Sequence, residues 1–156
     1  MLEIDIPGHL MLRLQHLVLD YNGTLAQDGV LIGGVKERLH ALSSMLQIHI
    51  VTGDTFGKAR DELVGIPCEL LVLPAEGQGQ LKRQYIQQLG CETTVCIGNG
   101  RNDRLMLKEA GLSIAVVQTE GAATQTVLAS TVLSPDILAA LDLLTYPLRL
   151  VATLRS

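Results

Sequence analysis

Asp20-Tyr21-Asn22-Gly23-Thr24-Leu25 places a carboxylate, an amide and a hydroxyl directly after the apolar run Leu17-Val18-Leu19. Such a run makes a buried parallel strand, so Asp20 stands where that strand ends and the chain turns at Gly23. Ligands of open α/β sheets bind beyond the carboxyl ends of the strands. A carboxylate there, beside a glycine that lets backbone come close, is placed to be a nucleophile or a metal ligand. By itself the hexapeptide reads equally well as an Asn-Gly turn flanked by Asp and Thr.

Three more stretches change that balance. Thr52-Gly53-Asp54 follows a second apolar run, and Gly98-Asn99-Gly100-Arg101-Asn102-Asp103 follows a later one. Lys82 lies near the start of the helical segment between them. In a parallel sheet these strand ends share one side, so their groups converge. Together they offer a carboxylate nucleophile, oxygen ligands for a hard cation such as magnesium, a hydroxyl with a backbone amide, and an ammonium. Phosphoryl transfer needs these parts: in-line attack, a divalent cation, and positive charge on the equatorial oxygens. Taken singly they are weak, since a Thr-Gly at a strand end is usually a turn and a lone lysine a solvated group. Gly98-Asn99-Gly100 also has the start of a dinucleotide fingerprint, but the third glycine and the acidic partner are missing.

The elements that must position these groups alternate. Leu2 to Ile6 and His9 to Leu14 read as an N-terminal hairpin turning at Pro7-Gly8, with the role of an edge cover. The first core strand spans His16 to Asp20, and Ala26 to Gly34 forms a loop or short flap over its end. Val35 to Leu46 is helical, with Val35, Leu39, Leu42 and Leu46 on one face. Gln47 to Thr52 is the second strand, Thr55 to Leu63 a helix, and Cys68 to Leu73 a third strand stopped by Pro74. Gly77 to Leu89 is a helix turning Leu81, Tyr85 and Leu89 inward, and Gly90 ends it. Thr94 to Ile97 is the fourth strand, Arg101 to Glu109 a helix, and Ser113 to Val117 the fifth strand. Gly121 to Leu128 is helical, Thr131-Val132-Leu133 adds a short sixth strand, and Asp136 to Leu144 is a helix. A last short helix follows Pro147. Strand and helix alternation predicts an α/β fold with a doubly wound parallel sheet, as one domain over residues 1–156 without a cap.

Composition narrows the function. The chain has 156 residues, enough for a full core, and with one Phe, three Tyr and no Trp that core must be aliphatic. The net charge of −4 without a basic run speaks against nucleic acid, because phosphate-backbone binding needs clustered Lys and Arg. No apolar stretch reaches the length of a membrane span, and the acidic start ending at Pro7 does not read as a signal peptide, which makes the cytoplasm the expected location. Cys68, Cys91 and Cys96 lack zinc spacing and are expected reduced and mostly buried. His9, His16, His40 and His49 form no ligand pair in sequence and receive no role.

The four stretches, in this order, resemble the haloacid dehalogenase superfamily of phosphatases and phosphotransferases. Asp20 to Leu25 resembles its first motif, Asp-x-Asp-Gly-Thr-Leu; Thr52-Gly53 resembles the second, Lys82 the third and Gly98 to Asp103 the fourth. The resemblance spans about residues 15–135. It is strongest to the phosphorylation domain of P-type ATPases and to the soluble proteins like it, through Thr52-Gly53-Asp54, Lys82 with Leu89, and Asn102-Asp103. It implies the strand order five-four-one-two-three, an aspartyl phosphate on Asp20 and a magnesium cofactor. Asp20 would be nucleophile and metal ligand, and Asn22 would give its carbonyl to the metal. Thr52, the Gly53 amide and Lys82 would hold the phosphoryl oxygens. Asn99 stands at the usual metal-binding position, and Asp103 would complete the metal site.

Three departures stand out. Phosphatases of the superfamily carry Asp where this chain has Asn22, which cannot transfer a proton as a general acid and base does. Asn99 replaces a metal-binding Asp. The segment between Asp20 and Thr52 holds no cap and no nucleotide-binding insertion. The expected function is therefore a slow, magnesium-dependent phosphatase or phosphotransferase acting on a phosphorylated small molecule or a phosphoprotein. The alternative is a catalytically degenerate domain that binds a phosphorylated ligand or a protein partner. Carbon–halogen hydrolysis needs an enclosed apolar pocket that no segment is left to build. An open site also points to a partner surface or a second copy of the chain as its cover, with the N-terminal hairpin or the C-terminal helix as the contact.

Overall fold

The computed structural model describes residues 1–54 and 56–156. A parallel six-stranded sheet carries the molecule. It contains β3 (His16–Leu19), β6 (Gln47–Thr52), β7 (Glu69–Val72), β8 (Thr94–Gly98), β9 (Leu112–Val116) and β10 (Val132–Ser134), in the order β10-β9-β8-β3-β6-β7. The first core strand is thus flanked by the second and the fourth, as the resemblance implied. The chain winds one way from β3 to β6 and β7, then returns to β8 on the other side. That reversal puts the topological switch point beside β3, where such sheets bind their ligands.

The two windings place helices on opposite faces. One face packs against α1 (Val35–Leu42), α6 (Ile137–Thr145) and α7 (Pro147–Leu154), with the hairpin β1 (Leu2–Ile6) and β2 (Leu10–Leu14) closing its edge. The other packs against α3 (Gln78–Leu89) and α4 (Arg104–Glu109), with α5 (Thr124–Ala129) beside α4. Within β3, Leu17 and Leu19 face the first layer and Val18 the second, all fully buried. The core is aliphatic as composition required, and Tyr21 is the large aromatic inside it. Arg38 ties the helices of the first layer, its Nε and Nη2 donating to Asp142 at 2.8 and 3.1 Å.

Several boundaries move for local reasons. The helix read to Leu46 ends at Leu42, because Ser43 and Ser44 turn their hydroxyls back onto the carbonyls of His40 and Ala41, at 2.7 and 2.9 Å. The helix read from Thr55 is reduced to α2 (Ala59–Glu62), where Asp54 Oδ1 accepts the Ala59 amide at 3.0 Å; Thr55 itself lies outside the described residues. The flap resolves into a hairpin of β4 (Ala26–Gln27) and β5 (Val30–Leu31). The segment from Arg101 starts with a 3₁₀ turn, Arg101–Asp103, and the helix read from Gly121 starts only at Thr124. In α3 the fully buried positions are Lys82 and Ile86, whereas Leu81, Tyr85 and Leu89 are half-buried.

The histidines also differ from the sequence reading. His16 Nδ1 and His49 Nε2 share a hydrogen bond of 3.1 Å, and His49 Nδ1 lies 2.8 Å from the Tyr85 hydroxyl. The pair arises because adjacent strands bring residues distant in sequence together. All three cysteines are free, with Cys96 fully buried in β8. Among the described residues no helix is long and apolar enough to cross a membrane.

Candidate active site

Asp20 stands one residue past the end of the central strand. Its amide still donates to Ile97 O at 3.0 Å, so the carboxylate is carried by the rigid sheet rather than by a loop. The chain then turns so tightly that the amides of Thr24, Leu25 and Ala26 all point to Tyr21 O, at 3.2, 2.9 and 3.0 Å. Gly23 has φ +78°, and a Cβ there would run into the Asn99 amide. Only glycine meets both demands, which explains the Asn-Gly at this turn.

Lys82, one turn into α3, reaches the same strand end. Its Nζ lies 2.7 Å from Asp20 Oδ1 and 2.7 Å from Asp103 Oδ1, and the side chain is completely buried. Asp103 is equally buried, and its other oxygen accepts the amides of Asn99 and Gly100 at 3.0 and 2.9 Å. Both Asp103 oxygens are therefore engaged. The sequence reading placed this residue among the metal ligands; in this structure its oxygens meet Lys82 and the turn after β8. A Cβ on Gly98 would approach Asp103 Cγ to 2.6 Å, so glycine is needed there for that carboxylate to fit.

Two carboxylates share one ammonium, and the surplus negative charge is buried. Burial, followed by the charge of Asp103, pushes Asp20 up to about 6, with Lys82 and the Thr24 hydroxyl pulling the other way. Lys82 is affected oppositely: burial alone would lower its pKa, but Asp103 and Asp20 outweigh it and hold the ammonium charged.

The second Asp20 oxygen faces a different set of groups. Thr24 Oγ1 lies 3.2 Å from Asp20 Oδ2 and 3.4 Å from Asn99 Oδ1, which brings the two oxygens to one hydroxyl. Asn99 Nδ2 donates to Gly121 O at 3.0 Å, and this fixes which end of the amide looks inward. Asn22 Oδ1 is buried without a hydrogen-bond partner. An acceptor of that kind is costly unless a ligand or water satisfies it. Uncompensated charge, converging neutral oxygens and an orphaned acceptor all fit a hard cation. Asp20, Asn22 and Asn99 are the residues that would hold it. Among the described residues no cluster of three or more His, Cys, Asp or Glu gathers, so water would fill much of its shell.

Thr52 ends β6 on the other flank of β3 and is almost fully buried. Its Oγ1 accepts the Asp54 amide at 2.9 Å, leaving the hydroxyl proton free to be donated to an anion. That contact uses the left-handed backbone of Asp54, φ +48°, which Asp tolerates better than most residues. A Cβ on Gly53 would meet the Gln78 side-chain amide, which would have to shift to make room. Gln78 in turn donates to Pro74 O at 3.1 Å and accepts from Asn102 Nδ2 at 2.8 Å. Sequence reasoning missed Gln78, although its position four residues before Lys82 put it on the same helical face. It also missed Gln118 and Gly121, which lie in the turn after β9 and had no sequence signal.

No family model matches the chain. Over 61 residues it is 51% identical to the uncharacterised protein MJ0073 of Methanocaldococcus jannaschii, which covers 39% of this chain and 66% of that protein, short of two thirds of its length. Over 39 residues it is 49% identical to the uncharacterised protein MJ0072 of the same organism, covering 25% of this chain and 89% of that one, and it belongs to the same family as that protein. Solved structures align over most of its length. The cobalt-bound deoxy-D-mannose-octulosonate 8-phosphate phosphatase of Haemophilus influenzae matches with TM-score 0.66 and 17% identity, over 80% of this chain and 79% of that one. The 3-deoxy-D-manno-octulosonate 8-phosphate phosphatase of Moraxella catarrhalis, in complex with magnesium, phosphate and KDO, matches with TM-score 0.65 and 17% identity, over 91% and 94%. A phosphoserine phosphatase in apo form matches with TM-score 0.64 and 13% identity, over 86% and 99%. The chain shares the fold of these phosphatases.

Proposed function

We propose that the chain is a phosphatase or phosphotransferase of the haloacid dehalogenase type, in which Asp20 is the nucleophile. The observation that carries this reading is the buried Asp20–Lys82–Asp103 triad at the carboxyl end of the central strand. Such a charged group is expensive to bury, and a binding module has no need of a carboxylate held at that strand end.

In the first step Asp20 attacks phosphorus, the bond to the leaving oxygen breaks, and that oxygen departs with the electron pair. Lys82, the Thr52 hydroxyl and the Gly53 amide stabilise the charge on the equatorial oxygens. In the second step water attacks the aspartyl phosphate, the carboxylate leaves, and the water proton passes to solvent. Magnesium, held by Asp20, the Asn22 carbonyl and Asn99, would neutralise charge on the transferred group. Asp103 keeps Lys82 in place. Asn22 can accept or donate a hydrogen bond but cannot deliver a proton, so leaving groups that need protonation react slowly.

Substrates suited to this site are esters or mixed anhydrides of phosphate on a small molecule or on a protein. A second reading, a domain that binds a phosphorylated ligand without turnover, is favoured by the neutral Asn22 and by the use of the Asn99 amide as a donor to Gly121. Hydrolysis of an aryl phosphate and of acetyl phosphate, with and without magnesium, separates the two, with Asp20→Asn as control. Magnesium-dependent turnover that vanishes in Asp20→Asn supports the enzyme. Inactivity of the wild type towards both compounds, together with retained phosphate binding, supports the second reading.

A further inference from the structure

We propose that Gln118 is a positioning residue that clamps the Asp20 loop, an inference that rests on the reading of Asp20 as the reacting group. Gln118 lies just past β9, in the turn that precedes α5. Its Nε2 donates to Gly23 O at 3.1 Å and to Thr24 O at 2.9 Å. Its Oε1 accepts the Ile137 amide at 2.8 Å, at the first residue of α6. The amide cannot be reversed, because two carbonyls require its NH₂ and an N–H requires its oxygen.

The two carbonyls it holds belong to the part of the loop that matters. Gly23 follows the Asn22 carbonyl offered to the metal, and Thr24 sets its hydroxyl on Asp20. On the inner side the loop is held by amides crowded onto one carbonyl, Tyr21 O. Gln118 grips the outer side and anchors it to α6. The turn it opens reaches the second loop as well. Gly121 N donates to Gln118 O at 2.8 Å, and Gly121 O receives Asn99 Nδ2 at 3.0 Å. One turn therefore sets the backbone around Asn22 and the direction of the Asn99 oxygen, although neither Gln118 nor Gly121 touches the reacting atoms.

The test is residue-level amide exchange in the metal-free protein, followed by binding of beryllium fluoride with magnesium. Gln118→Glu keeps the acceptor for Ile137 but loses both donations and sets a carboxylate against two carbonyls. Exchange at Thr24, Leu25 and Ala26 should accelerate about tenfold or more, while β3, β6 and β8 are unaffected. Gln118→Met removes the same bonds without adding charge; it should give the same local pattern and serves if Gln118→Glu does not fold. Magnesium-dependent beryllium fluoride affinity should fall about tenfold in both variants. Unchanged exchange at these three amides, or a uniform rise across the sheet, overturns the clamp. If exchange responds locally but the wild type binds no beryllium fluoride, the clamp stands and the phosphoryl-transfer reading fails.

Discussion

Replacing Lys82 by Met tests whether the triad is closed. The substitution keeps the aliphatic length and removes the ammonium lying 2.7 Å from each of two carboxylates. Asp103 would retain two backbone amides, and Asp20 would retain only the Thr24 hydroxyl. Removing one partner from a buried ionic group costs about 3–5 kcal/mol. At roughly 2–4 °C per kcal/mol for a chain of this size, the melting temperature should fall by roughly 6–20 °C. The assay is a thermal melt in EDTA at pH 8, repeated at lower pH. A carboxylate raised in the folded state destabilises it when ionised, so the deficit should shrink as pH falls through the folded value of Asp20. That window begins near 6, where Asp20 stands with Lys82 present, and extends upward once the ammonium is gone. Adding Asp103→Asn should restore part of the loss, since one carboxylate then remains. A fall under about 3 °C, or an equal fall at every pH, would mean that solvent reaches the carboxylates and that the triad is not the buried unit described.

Asn22→Asp supplies the missing acid and should raise aryl phosphate turnover by about tenfold or more with magnesium present; steady-state rates beside wild type and Asp20→Asn decide it, and no gain would remove Asn22 from the mechanism. A second expectation concerns His49, whose imidazole is lowered first by burial and then by His16, against the opposing pull of Glu69. Stability from this site should be complete above the ordinary imidazole value and lost as pH falls through the lower folded one. Urea unfolding between pH 8 and 5 should show that loss, with a shallower dependence in His49→Gln; His16, Glu69 and Tyr85 are the other titratable groups facing the ring.

The sheet was legible because Leu17-Val18-Leu19 and its counterparts are apolar on both faces, a property parallel central strands require. Asp20, Thr52, Lys82 and Asp103 were legible because each lies at a strand end or one turn into a helix, positions that parallel topology forces together. The contacts of Asp103 were not. Its type is right for a metal ligand, and only the distances to Lys82 and the turn amides show that both oxygens are occupied. Gln118 and Gln78 were invisible for a related reason: an amide side chain gains a role from the backbone groups it meets, and those come from remote loops. The His16–His49 pair depended on strand register. The shortened helices at α1, α2 and α5 reflect side chains and turns that capture backbone groups before a helix can use them.

The two neutral residues of the site, Asn22 and Asn99, each precede a glycine. Asn-Gly is the sequence most prone to ageing, in which the glycine nitrogen attacks the amide carbon, ammonia leaves, and the cyclic imide opens to aspartate or isoaspartate. Here both nitrogens are occupied: Gly23 donates to Ala26 O at 2.9 Å and Gly100 to Asp103 at 2.9 Å. The native fold therefore protects its own chemistry, and heated or repeatedly unfolded molecules lose that protection. On the proposed mechanism an aspartate at position 22 would supply the acid, so an aged preparation would carry a fraction more active than the encoded protein. Intact mass, which rises by about one dalton at each converted site, belongs beside every rate measured on this chain.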